Sequence, residues 1–187
     1  IKAPLFMGEG PASGKLGFVF PGQGSQYPGM ARELMSIFPE GGNALKQAQV
    51  HHEKRTCAPV PLTSAVYPLP GCAEDNKAVE ARLRQTQTAQ PAIGAVSMAL
   101  NNILNRFKVH PAMTCGHSFG ELCALYSAGW IEGNDFLELS AARRSAAEGP
   151  TGSQCGHQGI VGTMGTSSIS TGLTTHPATP GVIWSMF

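Results

Sequence analysis

Ser118 lies in Cys115-Gly116-His117-Ser118-Phe119-Gly120-Glu121, with a glycine two residues away on each side. A sharp turn from strand to helix can carry a serine hydroxyl out into a cleft, but the backbone folds that tightly only when the residues at those two positions are small. The flanks fit such a turn. Residues 109–115 are a short β-prone run, and 121–127 are compatible with a helix. The hydroxyl would then stand at a helix N-terminus, where unpaired N–H groups and the helix dipole favour a developing negative charge. Such pentapeptides also arise in ordinary turns, so taken alone the motif leaves a nucleophile and a plain turn equally open.

A second segment bears on the choice. In Leu16-Gly17-Phe18-Val19-Phe20-Pro21-Gly22-Gln23-Gly24-Ser25-Gln26, an apolar strand runs into a loop punctuated by proline and glycine. A helix over 29–38 follows, with Met30, Leu34, Ile37 and Phe38 at helical spacing. The loop could aim backbone N–H groups at an anion; by itself it reads more simply as a connection. Between the two motifs a helix is predicted over 90–107, opened by Gln90 and Pro91, with Pro91 in its first turn and Ile93, Val96, Leu100, Ile103, Leu104 and Phe107 on its buried side. Strands at 16–20 and 113–115 alternate with helices. The pattern predicts an α/β fold, a parallel sheet flanked by helices with the serine at the carboxyl end of its strand.

Together the segments F-V-F-P-G-Q-G-S-Q and G-H-S-x-G-E resemble, in order and separation, the two signatures of the acyltransferase family. That family comprises malonyl-CoA:acyl carrier protein transacylases and the acyltransferase domains of fatty acid and polyketide synthases. Thr88-Ala89-Gln90-Pro91-Ala92-Ile93 is similar to the family's T-Q-P-A segment, with one extra alanine before the glutamine. The resemblance implies an α/β-hydrolase-like core. It makes Ser118 the nucleophile, taking an acyl group from coenzyme A as an ester and passing it to a phosphopantetheine thiol, with His117 beside it. The backbone N–H groups of Gln23 and Phe119 would form the oxyanion hole. The arginine of malonyl-selective members falls at Arg143, whose planar guanidinium could hold the free carboxylate of malonate in a bidentate grip. The helix around it is predicted to start near Gly133 or Asn134, with Phe136, Leu139, Ser140 and Arg143 on one face. Malonyl-CoA is the implied substrate, an acyl carrier protein the implied partner, and a ketosynthase an implied neighbour; no permanently bound cofactor is implied.

The same resemblance places the family's catalytic histidine beyond the end of this sequence. His51, His52 and His110 precede the serine in contexts that read as loop or helix end, and His157 and His176 follow it in unrelated sequence. Residues 149–187 contain no Asp, Glu, Lys or Arg, and more than half of them are Gly, Ser or Thr. Three regions are therefore expected: a linker over 1–14, the N-terminal part of an acyltransferase domain over 15–148, and a disordered tail over 149–187 in place of the family's ferredoxin-like subdomain. The reading is of a truncated or frame-shifted domain that turns over poorly. Alternatives are an inactive fragment, or a serine hydrolase, although Asp135, the last aspartate, stands close to the serine in sequence.

Composition sets bounds. The chain has 187 residues, 42% of them hydrophobic, and a net charge of +1 with no basic run, which argues against nucleic acid as a partner. No run of roughly 18 apolar residues is present, which excludes a membrane-spanning helix. Five cysteines without a C-x-x-C pair point to a reduced, cytoplasmic setting. Glu40-Gly41-Gly42-Asn43 reads as a turn between two helices, and His51-His52-Glu53 as a solvated loop rather than a metal site.

Overall fold

A computed structural model describes residue 10 and residues 14–55, 60–68, 75–147 and 181–184, with the backbone alone at 55, 76, 141–147 and 181–184. Among these residues the sheet has three parallel strands, β1 (Gly17–Phe20), β2 (Met113–Gly116) and β3 (Gly181–Trp184), in that spatial order. β1 and β2 end together, Phe20 opposite Gly116, so the loops leaving both strands emerge at one edge. His117 N–H extends this pairing by donating to the Phe20 carbonyl at 3.2 Å.

Among the described residues the crossover from β1 to β2 carries five helices: α1 (Arg32–Ile37), α2 (Pro39–Arg55), α3 (Leu62–Val66), α4 (Asn76–Arg84) and α5 (Thr86–Arg106). After β2 come α6 (Phe119–Ser127) and α7 (Gly133–Ala147). α5 is the central pillar and packs against α2, α4, α6 and α7. Residues 88–99 are all buried, so α5 is enclosed on every side there rather than along one stripe. Its small residues permit this. A side chain at Gly94 would meet the rings of Phe119 and Phe136 at 3.2 Å. Phe136, fully buried, stacks on Tyr126 with ring centroids 5.0 Å apart, and burial of each such ring contributes about 1.5–3 kcal/mol.

Several expectations need correction. The helix expected over 90–107 begins at Thr86, so Pro91 lies inside it and leaves the Gln87 carbonyl without its usual N–H donor. Phe107, expected on the buried side, is 57% exposed just past the end of α5. Helix α1 starts at Arg32, not residue 29, because Ala31 takes a left-handed conformation (φ 55°) at its cap. Glu40-Gly41-Gly42-Asn43 is no turn but the first turn and more of α2. Packing explains the helical glycine at 41: a Cβ there would come 2.7 Å from Met35 Sδ and 3.0 Å from Met35 Cα, so glycine lets α1 and α2 close on each other. His51, His52 and Glu53 likewise lie on α2, with His52 buried.

The tail departs from expectation at one place. Gly181–Trp184 forms β3, pairing with β2 in the register Met113–Gly181 to Gly116–Trp184. Its Val-Ile-Trp run has the β-branched and aromatic character that suits a pleated surface. The remaining tail residues, 149–180 and 185–187, and most of the expected linker lie outside the described residues.

Candidate functional site

The serine turn is built by steric exclusion. A Cβ on Gly116 would collide with the Gly120 carbonyl, and one on Gly120 would collide with the Phe20 carbonyl and come 2.8 Å from that of Pro21. Only hydrogens fit at both places, so α6 starts directly against the ends of β1 and β2. Ser118 absorbs the reversal with φ 55° and ψ −115°, a sparsely populated backbone region that costs about 1–3 kcal/mol. Two hydrogen bonds close the turn, from Gly120 N–H to the His117 carbonyl at 2.9 Å and from Glu121 N–H to the Ser118 carbonyl at 3.2 Å. Although Ser118 occupies the cap position of α6, its side chain makes no capping hydrogen bond. Phe119, fully buried, anchors the helix start in the core. As the first residue of α6 its N–H has no partner within the helix. Thr114 Oγ1 donates to the Ala124 carbonyl at 3.0 Å and locks β2 to α6.

The loop after β1 sits against this turn. Ser25 N–H and Oγ–H both donate to the Gly22 carbonyl, at 3.4 and 2.9 Å, and Gly24 has φ 112°. This is the pattern of a type II turn. Such a turn uses the N–H of its last residue and leaves that of its second, Gln23, to point elsewhere. Contact with the elbow is made at Gly22, where a Cβ would stand 2.7 Å from the His117 carbonyl oxygen and 3.3 Å from Ser118 Cβ. Gln23, His117, Ser118 and Phe119 are thus gathered at the carboxyl edge of the sheet. Arg143 lies on α7, which begins at Gly133 as expected; its side chain falls outside the described residues. His110 precedes β2 at the far end of the strand from Ser118, and His157 and His176 fall outside the described residues.

Shifted titratable groups lie away from the elbow. Burial pushes the Tyr126 hydroxyl above its ordinary pKa, with the hydrogen bond to Asn102 acting the other way. The Glu40 carboxyl is held below its ordinary range by a backbone N–H and by Arg106, whose Nη1 donates to it at 2.8 Å. An apolar cavity of about 420 Å³ opens between β1 and α5, lined by Phe18, Phe20, Met30, Ile93, Val96 and Leu100 among others, and Ser118 is not in its wall. Among the described residues no helix is long and apolar enough to cross a membrane.

Residues 17–153, from the first strand through the elbow and α7, match the acyl transferase domain family. The chain belongs to that family. The domain is 39% identical over 130 residues to the spectinabilin polyketide synthase system protein NorB of Streptomyces orinoci, a match covering 70% of this chain and 6% of that one. Among solved structures it is similar to an acyl carrier protein S-malonyltransferase from Vibrio cholerae, at 28% identity and a TM-score of 0.60 over 73% of this chain and 40% of that one. It is also similar, at 29% identity and a TM-score of 0.58, to a malonyl-transacylase solved in complex with a type II polyketide synthase acyl carrier protein, over 71% of this chain and 38% of that one. The acyl transferase domain therefore spans well under half of these solved relatives and a small fraction of the curated synthase. These likenesses extend to the fold, an α/β core of parallel strands flanked by helices.

One pair in the site was not legible in the sequence. Gln90, in the Q-P step of α5, donates through Nε2 to Gln23 Oε1 at 3.3 Å, and Gln23 Nε2 donates to Thr86 Oγ1 at 3.2 Å. The sequence marks Gln90 as an opener of a helix and as the glutamine of the T-Q-P-A-like segment, but not as a partner of Gln23. A separation of 67 residues hides its contact with the loop.

Proposed function

We propose that this domain moves a malonyl group, or a related acyl group, from coenzyme A to the phosphopantetheine thiol of an acyl carrier protein during polyketide or fatty acid synthesis. The observation that carries the reading is the strained Ser118 elbow with the Gly22-Gln23 loop packed directly against it. In the first half-reaction Ser118 Oγ attacks the thioester carbonyl, its proton passes to a base, and the resulting oxyanion is held by the N–H groups of Gln23 and Phe119. Collapse breaks the carbon–sulfur bond, and coenzyme A leaves as the protonated thiol. The carrier thiol then attacks the serine ester, passes through the same oxyanion site and restores the hydroxyl. Each preorganised donor of this kind contributes a rate factor of about 10² to 10³.

His117 flanks the nucleophile on the elbow. Arg143 holds the free carboxylate of malonate and thereby sets the acyl preference. The base is supplied from outside the described residues, since a serine hydroxyl is almost wholly protonated near neutral pH and needs one. Without a general base in place, ester formation and turnover would be slower by about 10² to 10⁴. Incubation with malonyl-CoA followed by intact-protein mass spectrometry tests the reading. A malonyl increment is expected on the wild type and none on Ser118→Ala; an increment that survives in the variant assigns the nucleophile elsewhere. Turnover of a p-nitrophenyl ester with no transfer to a thiol would instead identify a serine hydrolase.

A further inference from the structure

We propose that Gln90 is a positioning residue for the oxyanion loop, acting through the side chain of Gln23. This rests on the acyl-transfer reading for its catalytic consequence, though not for its structural content. The two ends of the link differ in kind. Gln23 is exposed at the tip of the loop, whereas Gln90 is 93% buried, at 7% relative exposure, on the enclosed stretch of α5. The donors run in one direction, Gln90 to Gln23 to Thr86. They tie the tip of a glycine-rich turn to the rigid start of the longest helix at two points.

Packing alone does not explain a glutamine at this position. Gln90 Oε1 is buried with no hydrogen-bond partner among the described residues. A buried carbonyl oxygen left unpaired is destabilising, and a leucine or methionine would fill the same helix face without that penalty. What the amide provides and an apolar side chain cannot is the N–H that holds Gln23. Internal bonds of the loop do not substitute for it. The Gly22–Ser25 hydrogen bonds and the bond from Gly24 N–H to Gln26 Oε1 at 2.7 Å shape the turn but do not anchor it to the rest of the protein. On the elbow side the described residues hold the start of the loop, through the His117 N–H bond to the Phe20 carbonyl, and meet its turn by contact at Gly22, which prevents approach of the tip and not its retreat. The link through Gln90 supplies the missing restraint, and it keeps the Gln23 N–H aimed where the oxyanion forms. The reacting groups meet the backbone of Gln23; its side chain serves to hold that backbone still.

Because both hydrogen bonds are at the long end of the normal range, the effect of removing them is modest, about 3- to 10-fold. The test uses the full chain with Gln23→Ala, which keeps the backbone N–H and changes an exposed side chain, Gln90→Leu, and the double variant. Amide hydrogen exchange read by NMR should rise about 3- to 10-fold at residues 22–25 in each, with amides in the middle of α5 unchanged. The rate constant for malonylation of Ser118 at saturating malonyl-CoA should fall by a similar factor, with half-saturation unchanged, and the double variant should be no slower than either single one. Unchanged exchange at 22–25 overturns the proposal, as does a double variant whose loss is the product of the two. If Gln90→Leu fails to fold, comparison of Gln23→Ala with Thr86→Val decides the matter, since a loss in Gln23→Ala that Thr86→Val reproduces in full assigns the restraint to Thr86 and overturns the proposal. A wild type that malonyl-CoA does not acylate overturns the acyl-transfer reading, and the exchange measurement still decides whether Gln90 holds the loop.

Discussion

Gly22→Ala should impair acylation far more than it impairs folding. The added Cβ would lie 2.7 Å from the His117 carbonyl oxygen, 3.2 Å from His117 Nδ1 and 3.3 Å from Ser118 Cβ. Carbon atoms pack best at about 3.5–4.0 Å, so the loop must retreat from the elbow by several tenths of an ångström. The carbonyl cannot swing away, because it already accepts the Gly120 N–H that closes the turn. Overpacking of this kind costs about 1–3 kcal/mol. The φ of Gly22 lies outside the left-handed region, so the substitution recovers about 0.4–1 kcal/mol through the unfolded chain. A net loss of at most about 2.6 kcal/mol remains, read as a lower urea midpoint with an unchanged slope. Catalysis is more sensitive, since displacing a reacting group by about 1 Å can lower the rate about 10²-fold. The time course of the malonyl increment by intact-protein mass spectrometry measures it, against wild type under the same conditions. Wild-type acylation in Gly22→Ala would refute the claim that this loop is seated against the nucleophile.

Three further outcomes follow from the structure and the proposed function. Phe136→Ala removes a fully buried ring stacked on Tyr126 and should destabilise the domain by about 3–5 kcal/mol in urea unfolding; a loss below about 1 kcal/mol would mean that α7 does not pack on α5 as described. Arg143→Ala should lower malonyl transfer roughly 30-fold or more while leaving acetyl transfer little changed, through loss of a charge-assisted contact, and an equal loss for both acyl groups would make Arg143 a structural residue. The Glu40 carboxyl titrates below its ordinary range because of a backbone N–H and then Arg106, so its stabilising contribution is present above the unfolded carboxylate pKa and is lost as pH falls through the folded one. The stability difference between wild type and Arg106→Ala should accordingly close in acid and persist at neutral pH, and a difference that widened in acid would reverse this assignment.

The local chemistry of the elbow was written in the sequence because each requirement is met by a residue within a few positions. Ser118 needs small residues two places away on both sides, and Gly116 and Gly120 are there; β1, β2 and α6 follow from short apolar runs with clear breaks. The alternation of strand and helix was enough for the parallel α/β class. Other features depended on partners far along the chain. Glycines 41 and 42 read as a turn because glycine is a poor helix former, yet at 41 the approach of Met35 made glycine the residue that fits inside α2, while a side chain at 42 would meet nothing within 4 Å. His52 read as part of a solvated loop, and is instead buried on α2, a helix packed by other elements. The one-sided pattern expected for α5 gave way to burial all round, since α2, α6 and α7 close on its small residues from different directions. The contact of Gly22 with the elbow, and the tie from Gln90 to Gln23, join segments tens of residues apart. No periodicity or local spacing encodes such a meeting; it exists only once the equal ends of β1 and β2 set the two loops side by side and α5 is laid beneath them.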